Sequence, residues 1–302
     1  ARSGGCGLGA ELAFLLLPLL WLRGARSRAR SFALALVLLL VPTATPAQDL
    51  PDTDGDGFPD SVEATGFQLF GDPDPTTGFV ESCDGTQPRH TCVDPLTPDL
   101  FLIVVREVEP CDPALDPRCI PSGPEATDAI SSPTNPEGPG GLGIAVHEIE
   151  ATQAASNRTV TALADQKAVM IIEDRDPRAD KLGNCPLRAT PNDAEPCFVF
   201  TQKIHDYVME VCAGARSCRL ATDDTSVAAD VIRTYVEHTF NHEVGHSVLL
   251  SSICTRRYCD HEKAGSGVLM EEASQYTNKG GNVTWYISTQ FGGQSQNDAA
   301  LK

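Results

Sequence analysis

The sequence predicts an α/β or α+β fold, in which several strands precede one long helix. Apolar runs of strand length occur at 100–105, 142–149, 168–172 and 198–200. A longer amphipathic segment from about 225 to 250 predicts the helix. The chain has 302 residues and a hydrophobic content of 41%, which is enough to bury a sizeable core.

The predicted long helix carries an apolar stripe, and two shorter helices are expected before it. Asp224 or Thr225 can cap the start of the long helix. The shorter helices are predicted at 158–166 and 203–212. The stripe consists of Val227, Val231, Tyr235, Phe240, Val244 and Val248.

Segments rich in Pro, Gly, Asp and Ser at 71–97 and 108–141 predict loops. The ten cysteines beyond Cys6 fall into close couples, and an even number in an exported chain predicts disulfides between neighbours. No two of these cysteines have the CxxC spacing, which disfavours a cysteine zinc site. The couples are Cys83 and Cys92, Cys111 and Cys119, Cys185 and Cys197, Cys212 and Cys218, and Cys254 and Cys259.

Residues 1–47 have the features of a leader segment. Two apolar runs, each too short to span a bilayer, are separated by arginines, and the second run is followed by the small residues of "TATPA". This order predicts a secretory signal with cleavage after Ala47, and hence a secreted protein. Residues 1–47 hold five of the 23 basic and one of the 41 acidic side chains, so the remaining chain has a formal net charge of −22. That charge argues against nucleic acid as a partner, and against stable membrane association after signal removal.

The stretch "DTDGDGFPDSVE" at 52–63 fits the pattern of a calcium loop. Alternate carboxylates can converge on one hard cation, and Gly57 permits the sharp turn between them. The preceding "PAQDLP" cannot form the entering helix of an EF-hand, so the stretch resembles the isolated aspartate-rich loops of thrombospondin type 3 repeats. The alternative is an acidic, Gly-rich linker without an ion. The predicted Ca²⁺ ligands are Asp52, Asp54, Asp56, Asp60 and Glu63.

The stretch "HEVGH" at 242–246 has the spacing of a zinc site on a helix. Positions 242 and 246 lie one turn apart, so the imidazoles of His242 and His246 can reach one Zn²⁺. Glu243 projects about 100° further round the helix, where a carboxylate can act as general base. The alternative is an ordinary amphipathic helix with exposed His and Glu side chains.

The downstream sequence strengthens the zinc interpretation. His261 is followed, after a Gly/Ser-containing link, by Met270. With "HEVGH", this order resembles the metzincin clan of zinc metallopeptidases over about residues 225–276. The resemblance implies a zincin fold, with a twisted mixed sheet, a long active-site helix, and a small C-terminal subdomain carrying His261 as third ligand above a Met-turn at Met270.

The sequence departs from the metzincin pattern after His246. Leu249 stands at the family's glycine position and Ser252 at its third-histidine position. An insertion of nine residues, "SSICTRRYC", pinched by a Cys254–Cys259 disulfide, would return the chain to the metal. The other candidates for the third ligand are Glu271, Glu272, Glu262 and Asp260.

The sequence allows two interpretations for each of two further side chains, His238 and Tyr276. His238, one turn before His242, can line the cleft or be an ordinary surface histidine. Tyr276 can stabilise an oxyanion or pack in the core. His90, His147 and His205 have no spacing that singles them out.

The predicted organisation is a leader at 1–47, a calcium loop at 48–66, a disulfide-containing loop region at 67–97 and a metzincin-like domain at 98–302. The predicted function is that of a secreted zinc-dependent endopeptidase, which hydrolyses peptide bonds of an extended substrate through a zinc-bound water with Glu243 as general base. One alternative is a non-catalytic, calcium-dependent binding or adhesion module with a vestigial or structural metal site. Another is a zinc hydrolase of non-peptide amides or esters.

Overall fold

The computed structural model describes residues 50–122, 124–134, 141–164, 166–185, 196–247, 275–288 and 290. These residues belong to one compact unit, Leu50–Lys302, so the acidic loop at 52–63 lies in the same unit as the strands. The predicted leader at 1–47 lies outside the described residues. So do Cys254, Cys259, Asp260, His261, Glu262, Met270, Glu271 and Glu272.

The described part of the chain contains both strands and helices. The strands are β1 (Phe67–Gln68), β2 (Phe79–Ser82), β3 (Cys92–Val93), β4 (Asp99–Val105), β5 (Ala145–Glu148), β6 (Val169–Asp174), β7 (Gly183–Asn184), β8 (Cys197–Phe200), β9 (Ser217–Leu220), β10 (Gln275–Lys279) and β11 (Asn282–Tyr286). The α-helices are α1 (Asp60–Glu63), α2 (Asp128–Ser131), α3 (Thr201–Cys212) and α4 (Ala228–Ser247), with short 3-10 helices at Arg89–Thr91, Pro124–Thr127 and Ala151–Gln153. None of these helices combines the length and apolarity needed to cross a bilayer.

A five-stranded sheet forms the centre of the unit, in the order β5-β4-β6-β8-β7. Neighbouring strands from β5 to β8 are parallel, whereas β7 runs antiparallel to β8 at one edge. The four apolar runs identified in the sequence correspond to β4, β5, β6 and β8. The predicted α+β class with a mixed sheet is therefore confirmed.

Side chains of β4 alternate between two hydrophobic clusters, one on each face of the sheet. Leu100 and Leu102 belong to a cluster shared with α3 and α4, which we name the helical core. Phe101 and Ile103 point to the opposite face, because successive strand residues alternate. They meet Phe58 and other residues of the N-terminal segments in a second cluster, the loop core. The acidic loop is thus anchored by Phe58 to the face of the sheet away from the helices.

Two three-stranded sheets flank the central one. The first has the order β1-β2-β3 and contributes Phe67 and Val93 to the loop core. The second has the order β10-β11-β9, and its Val283 and Trp285 are fully buried in the helical core. The loop predicted at 71–97 is therefore wrong in part, because β2 and β3 lie within it and pair with each other.

Four disulfides form among the described residues, and each joins a predicted neighbour couple: Cys83–Cys92, Cys111–Cys119, Cys185–Cys197 and Cys212–Cys218. The fifth predicted couple, Cys254 and Cys259, lies outside them. Disulfides persist in oxidising compartments, so these bonds are consistent with an extracellular protein.

One predicted helix is absent and one starts late. Residues 158–164 form turns and coil instead of a helix. Arg158 adopts a left-handed φ of 67°, and the following β-branched run at 159–161 disfavours helix. The predicted helix at 203–212 is confirmed as α3. The long helix begins at Ala228 rather than 225, where the Asp230 carboxylate accepts a hydrogen bond from the Val227 N–H.

Candidate metal centres

Helix α4 carries the candidate zinc ligands on one buried face. The rings of His242 and His246 lie one turn apart, with centroids separated by 4.7 Å. The two histidines are only 8% and 7% exposed. One ligand atom from each of His242, Glu243 and His246 lies within 4.8 Å of the others. Both imidazoles can therefore reach one ion.

The opposite face of α4 fixes the helix in place. Phe240 and Val244 are fully buried in the helical core, and burial of one such aromatic side chain stabilises a fold by about 1.5–3 kcal/mol. The Asn241 side-chain amide donates a hydrogen bond of 2.8 Å to the carbonyl of Ala126. The two histidines consequently project from a rigid element, which is what a preformed metal site requires.

Glu243 lies against the edge strand β7. A Cβ atom added at Gly183 would stand 2.2 Å from Oε1 of Glu243 and 2.8 Å from its Cδ. A Cβ at position 183 would require the Glu243 side chain to move its carboxylate, because real Cβ atoms do not approach other atoms so closely. Gly183 therefore sets the position of Glu243 relative to the edge of the sheet.

Replacing Gly183 by alanine is expected to lower hydrolysis at least about 10-fold while zinc content stays unchanged, because the new methyl group displaces the Glu243 carboxylate. Elemental mass spectrometry and a hydrolysis assay on the same sample would separate the two effects. Asn184→Ala, in the same strand, adds no atom beside Glu243 and serves as control. Full activity in Gly183→Ala would show that the position of Glu243 does not matter.

His238 and Tyr276 are placed by the structure. His238 is buried, and its Nδ1 lies 2.7 Å from the carbonyl oxygen of Ser288, so the interpretation as a surface histidine is wrong. Its ring centroid is 6.0 Å from that of His242. Tyr276 is 43% exposed, and its ring packs 5.0 Å from that of the buried Trp285.

The donor set on α4 suits zinc. Zinc accepts imidazole nitrogen, and catalytic sites hold it with three protein ligands and one open position. His242 and His246 supply two such nitrogens on a buried surface, with a carboxylate beside them. The predicted third ligand, His261, and its alternatives Glu271 and Glu272 lie outside the described residues.

A second candidate centre lies on the opposite face of the sheet. Carboxylate oxygens of Asp52, Asp54 and Asp56 lie within 4.8 Å of one another, and so do those of Asp56, Glu63 and Asp99. Asp56 belongs to both groups. We name the five residues the acidic cluster. Asp56, Glu63 and Asp99 are fully buried, whereas Asp52 is exposed.

The backbone of the loop is folded around the carboxylates. Asp52 accepts hydrogen bonds from the N–H groups of Gly55, at 2.8 Å, and Gly57, at 3.1 Å. Gly57 has a φ of +95°, which an L side chain rarely adopts. The carboxylate of Asp60 lies outside both groups of the cluster. It faces Thr53, whose N–H and hydroxyl each donate to it at 2.7 Å.

Burial raises the pKa of several of these carboxyl groups. It raises the pKa of Asp54 and of Asp56 to about 7, and that of Glu63 to about 10, with neighbouring carboxylates adding to each increase. The pKa of Asp99 is also raised by burial. Full ionisation of the cluster at neutral pH therefore costs folding free energy unless a cation compensates the charge.

Three residues of these centres, Asp99, His147 and Gly183, cannot be recognised as site residues from the sequence. Asp99 looks like the polar start of an apolar run, and His147 lies within another such run. In the structure Nε2 of His147 is 2.7 Å from Oδ1 of Asp99, although its spacing assigned it no role. Gly183 stands in a Gly/Asn-containing turn signal. Their roles depend on strand pairing, which sequence spacing does not reveal.

Comparisons with protein-family models, with curated proteins and with solved structures found no match for this chain. The resemblance to metzincins remains an expectation carried by His242, Glu243, His246, His261 and Met270.

Proposed function

We propose that the protein is a secreted, zinc-dependent endopeptidase with a metzincin-like zincin architecture. The observation that carries this proposal is the convergence of His242, Glu243 and His246 on a buried helix face. Two imidazoles with an adjacent carboxylate form the donor set of a hydrolytic zinc site. Proximity to the sheet edge at Gly183 gives this site access to an extended chain.

The protein side chains have distinct roles in this proposal. His242 and His246, with His261 as the expected third ligand, hold the metal. A zinc ion held by these residues would supply Lewis acidity, which would lower the pKa of a bound water molecule and polarise the scissile carbonyl. Glu243 accepts the proton of the attacking water and then transfers it to the leaving amine. Burial of Glu243 limits competition from bulk water for that proton.

The edge strand supports a peptide as substrate. Strand β7 pairs with β8 on one side and is the last strand in the described order of the central sheet. The outer edge of a strand offers N–H and C=O groups with which an extended peptide can pair. Because Gly183 of β7 contacts Glu243, a peptide on this edge would pass beside the general base.

Export and calcium complete the proposal. The signal-like segment at 1–47 and the four disulfides are typical of an extracellular protein. Ca²⁺ is the expected ion of the loop at 52–63. The acidic cluster lies on the sheet face away from α4, so calcium would stabilise the fold and take no part in hydrolysis.

The test is hydrolysis of a denatured, fluorescently labelled protein by the purified chain. Activity should disappear when a zinc chelator is present and return when zinc is restored. A chain that binds zinc but cleaves only small amides or esters would indicate a non-peptide hydrolase. A chain without hydrolytic activity would favour the calcium-dependent binding module, for which the buried acidic cluster is the specific support.

A further inference from the structure

Asp99 places a carboxylate from the central sheet among those of the acidic loop. It is the first residue of β4, far along the chain from Asp56 in the loop and from Glu63 at the end of α1. All three are fully buried, and their oxygens approach within 4.8 Å. Calcium binds oxygen at about 2.3–2.6 Å, so its ligand oxygens lie within about 5 Å of one another.

Glu63 provides an independent sign of a missing ligand. Both of its carboxylate oxygens are inaccessible to solvent, and no N–H or hydroxyl donor among the described residues reaches them. The group within pairing distance is the carboxyl of Asp99, an acid like itself. The charged neighbours that act on it are the carboxylates of Asp56, Asp54 and Asp99. A buried carboxyl group without a hydrogen bond is costly, and a bound cation removes that cost.

We infer that Asp99 completes a calcium site with Asp52, Asp54, Asp56 and Glu63, so that the ion fastens the N-terminal loop to strand β4 of the central sheet. The site is built entirely from oxygen ligands with a high negative charge. This donor set suits Ca²⁺, which takes six to eight oxygens in flexible geometry, and it does not suit zinc.

Hydrogen bonds hold the acidic loop against Asp99. One oxygen of Asp56 accepts a hydrogen bond of 2.7 Å from the Asp99 N–H, and the other accepts one of 2.7 Å from the Phe58 N–H. The side-chain amide of Gln166 donates to the carbonyl oxygens of Asp56 and Asp99, at 2.9 and 2.7 Å. A solvated acidic linker would have none of these contacts with the sheet.

His147 acts as a positioning residue for Asp99. Its Nε2 lies 2.7 Å from Oδ1 of Asp99, and its Nδ1 lies 3.0 Å from the carbonyl oxygen of His90. Its ring also stacks on Phe101, with centroids 4.6 Å apart. The imidazole thus fixes one Asp99 oxygen. The second accepts a hydrogen bond of 3.4 Å from the Asp94 N–H and keeps a lone pair for the cation.

The proposed site lies between the acidic loop and strand β4, which both contribute aromatic rings to the loop core. Phe58, within the loop, stacks on Phe67 at 4.9 Å and packs 5.5 Å from Phe101 of β4. Calcium bound between the loop and Asp99 would hold these rings together. Removing it should leave five acidic groups in repulsion beside a hydrophobic contact, so the calcium-free protein should be less stable.

The test compares Asp99→Asn with Asp84→Asn, a charge-matched change at an exposed aspartate outside the acidic cluster. Chelator-stripped proteins are titrated with CaCl₂ by calorimetry, and thermal unfolding is followed with and without calcium. The parent and Asp84→Asn should bind calcium equally and gain the same rise in Tm. Asp99→Asn should bind it at least about 10-fold more weakly and lose most of the rise.

The stability of the calcium-free protein distinguishes a calcium ligand from a residue that only supports the fold. Without calcium, Asp99→Asn should be at least as stable as the parent, because one of the mutually repelling carboxylates is gone. A lower Tm both with and without calcium, at unchanged calcium affinity, would overturn the inference. So would a parent chain that binds no calcium.

If Asp99→Asn does not fold, the calcium affinity of Glu63→Gln is measured instead. Weakened calcium binding in Glu63→Gln supports a site built around the buried cluster, whereas unchanged affinity overturns it. Neither readout involves hydrolysis or zinc, so failure here is distinguishable from failure of the proposed endopeptidase activity.

Discussion

Replacing Glu243 by glutamine is expected to lower the rate of peptide hydrolysis by about 10²–10⁴-fold, which is the usual contribution of a general base. Glutamine keeps the shape of the side chain but cannot accept the proton of the attacking water. The zinc ligands His242 and His246 are untouched, so zinc content should equal that of the parent. The measurement is kcat/KM on an unstructured peptide, with zinc determined on the same sample.

Glu210→Gln is a suitable control, because Glu210 is an exposed glutamate on α3 outside the candidate site. It should retain full activity. Parental activity in Glu243→Gln would exclude the proposed mechanism. A binding module with a structural metal would likewise be insensitive to this change, so unaltered binding of a partner by Glu243→Gln would favour that alternative.

Replacing His246 by alanine is expected to remove zinc and, with it, all measurable hydrolysis. Catalytic zinc has only three protein ligands, and the loss of one leaves an incomplete site. The buried position of His246 means that water cannot freely take the place of its imidazole. Elemental mass spectrometry gives the zinc content, and circular dichroism shows whether the fold survives.

His205→Ala is the control for His246→Ala. His205 lies on α3, where its Nδ1 pairs with Asp206 at 3.0 Å, partly exposed to solvent. This variant should keep both zinc and activity. Full zinc occupancy in His246→Ala would place the metal elsewhere and contradict the assignment of α4 as the zinc-binding helix.

The strands of the central sheet were predictable because each is a local apolar run. Buried parallel strands such as β4 and β6 require continuous Val, Ile and Leu, and this signal does not depend on distant residues. The neighbouring disulfides were predictable for the same reason, since the paired cysteines lie close in sequence. The pairing of β7 at the sheet edge was not, because two residues in a turn-like segment have no periodicity.

The errors have physical causes in particular segments. The residues at 158–166 have helical spacing, but Arg158 takes a left-handed conformation and the Asn157 side chain accepts a hydrogen bond from the Thr159 N–H. That local bond competes with a helix. Strands β2 and β3 were hidden in a Pro- and Gly-rich stretch, where pairing and the Cys83–Cys92 disulfide outweigh weak local propensity.

The candidate site was predictable only where its ligands share one element. His242, Glu243 and His246 lie on one helical turn, so spacing alone brings them together. Asp56 and Glu63 likewise share a loop motif. Asp99 and Gly183 join these groups through long-range packing of the sheet. Asp60 stays a predicted calcium ligand, although its carboxylate accepts hydrogen bonds from Thr53 and lies outside both carboxylate groups.

The most direct measurement is zinc per chain, by elemental mass spectrometry, on the purified protein and on His261→Ala prepared in parallel. One zinc per chain in the parent and a large loss in the variant are the predicted results. Zinc retained by His261→Ala would assign the third ligand to Glu271 or Glu272. A parent chain without zinc would contradict the proposal of a zinc-dependent endopeptidase.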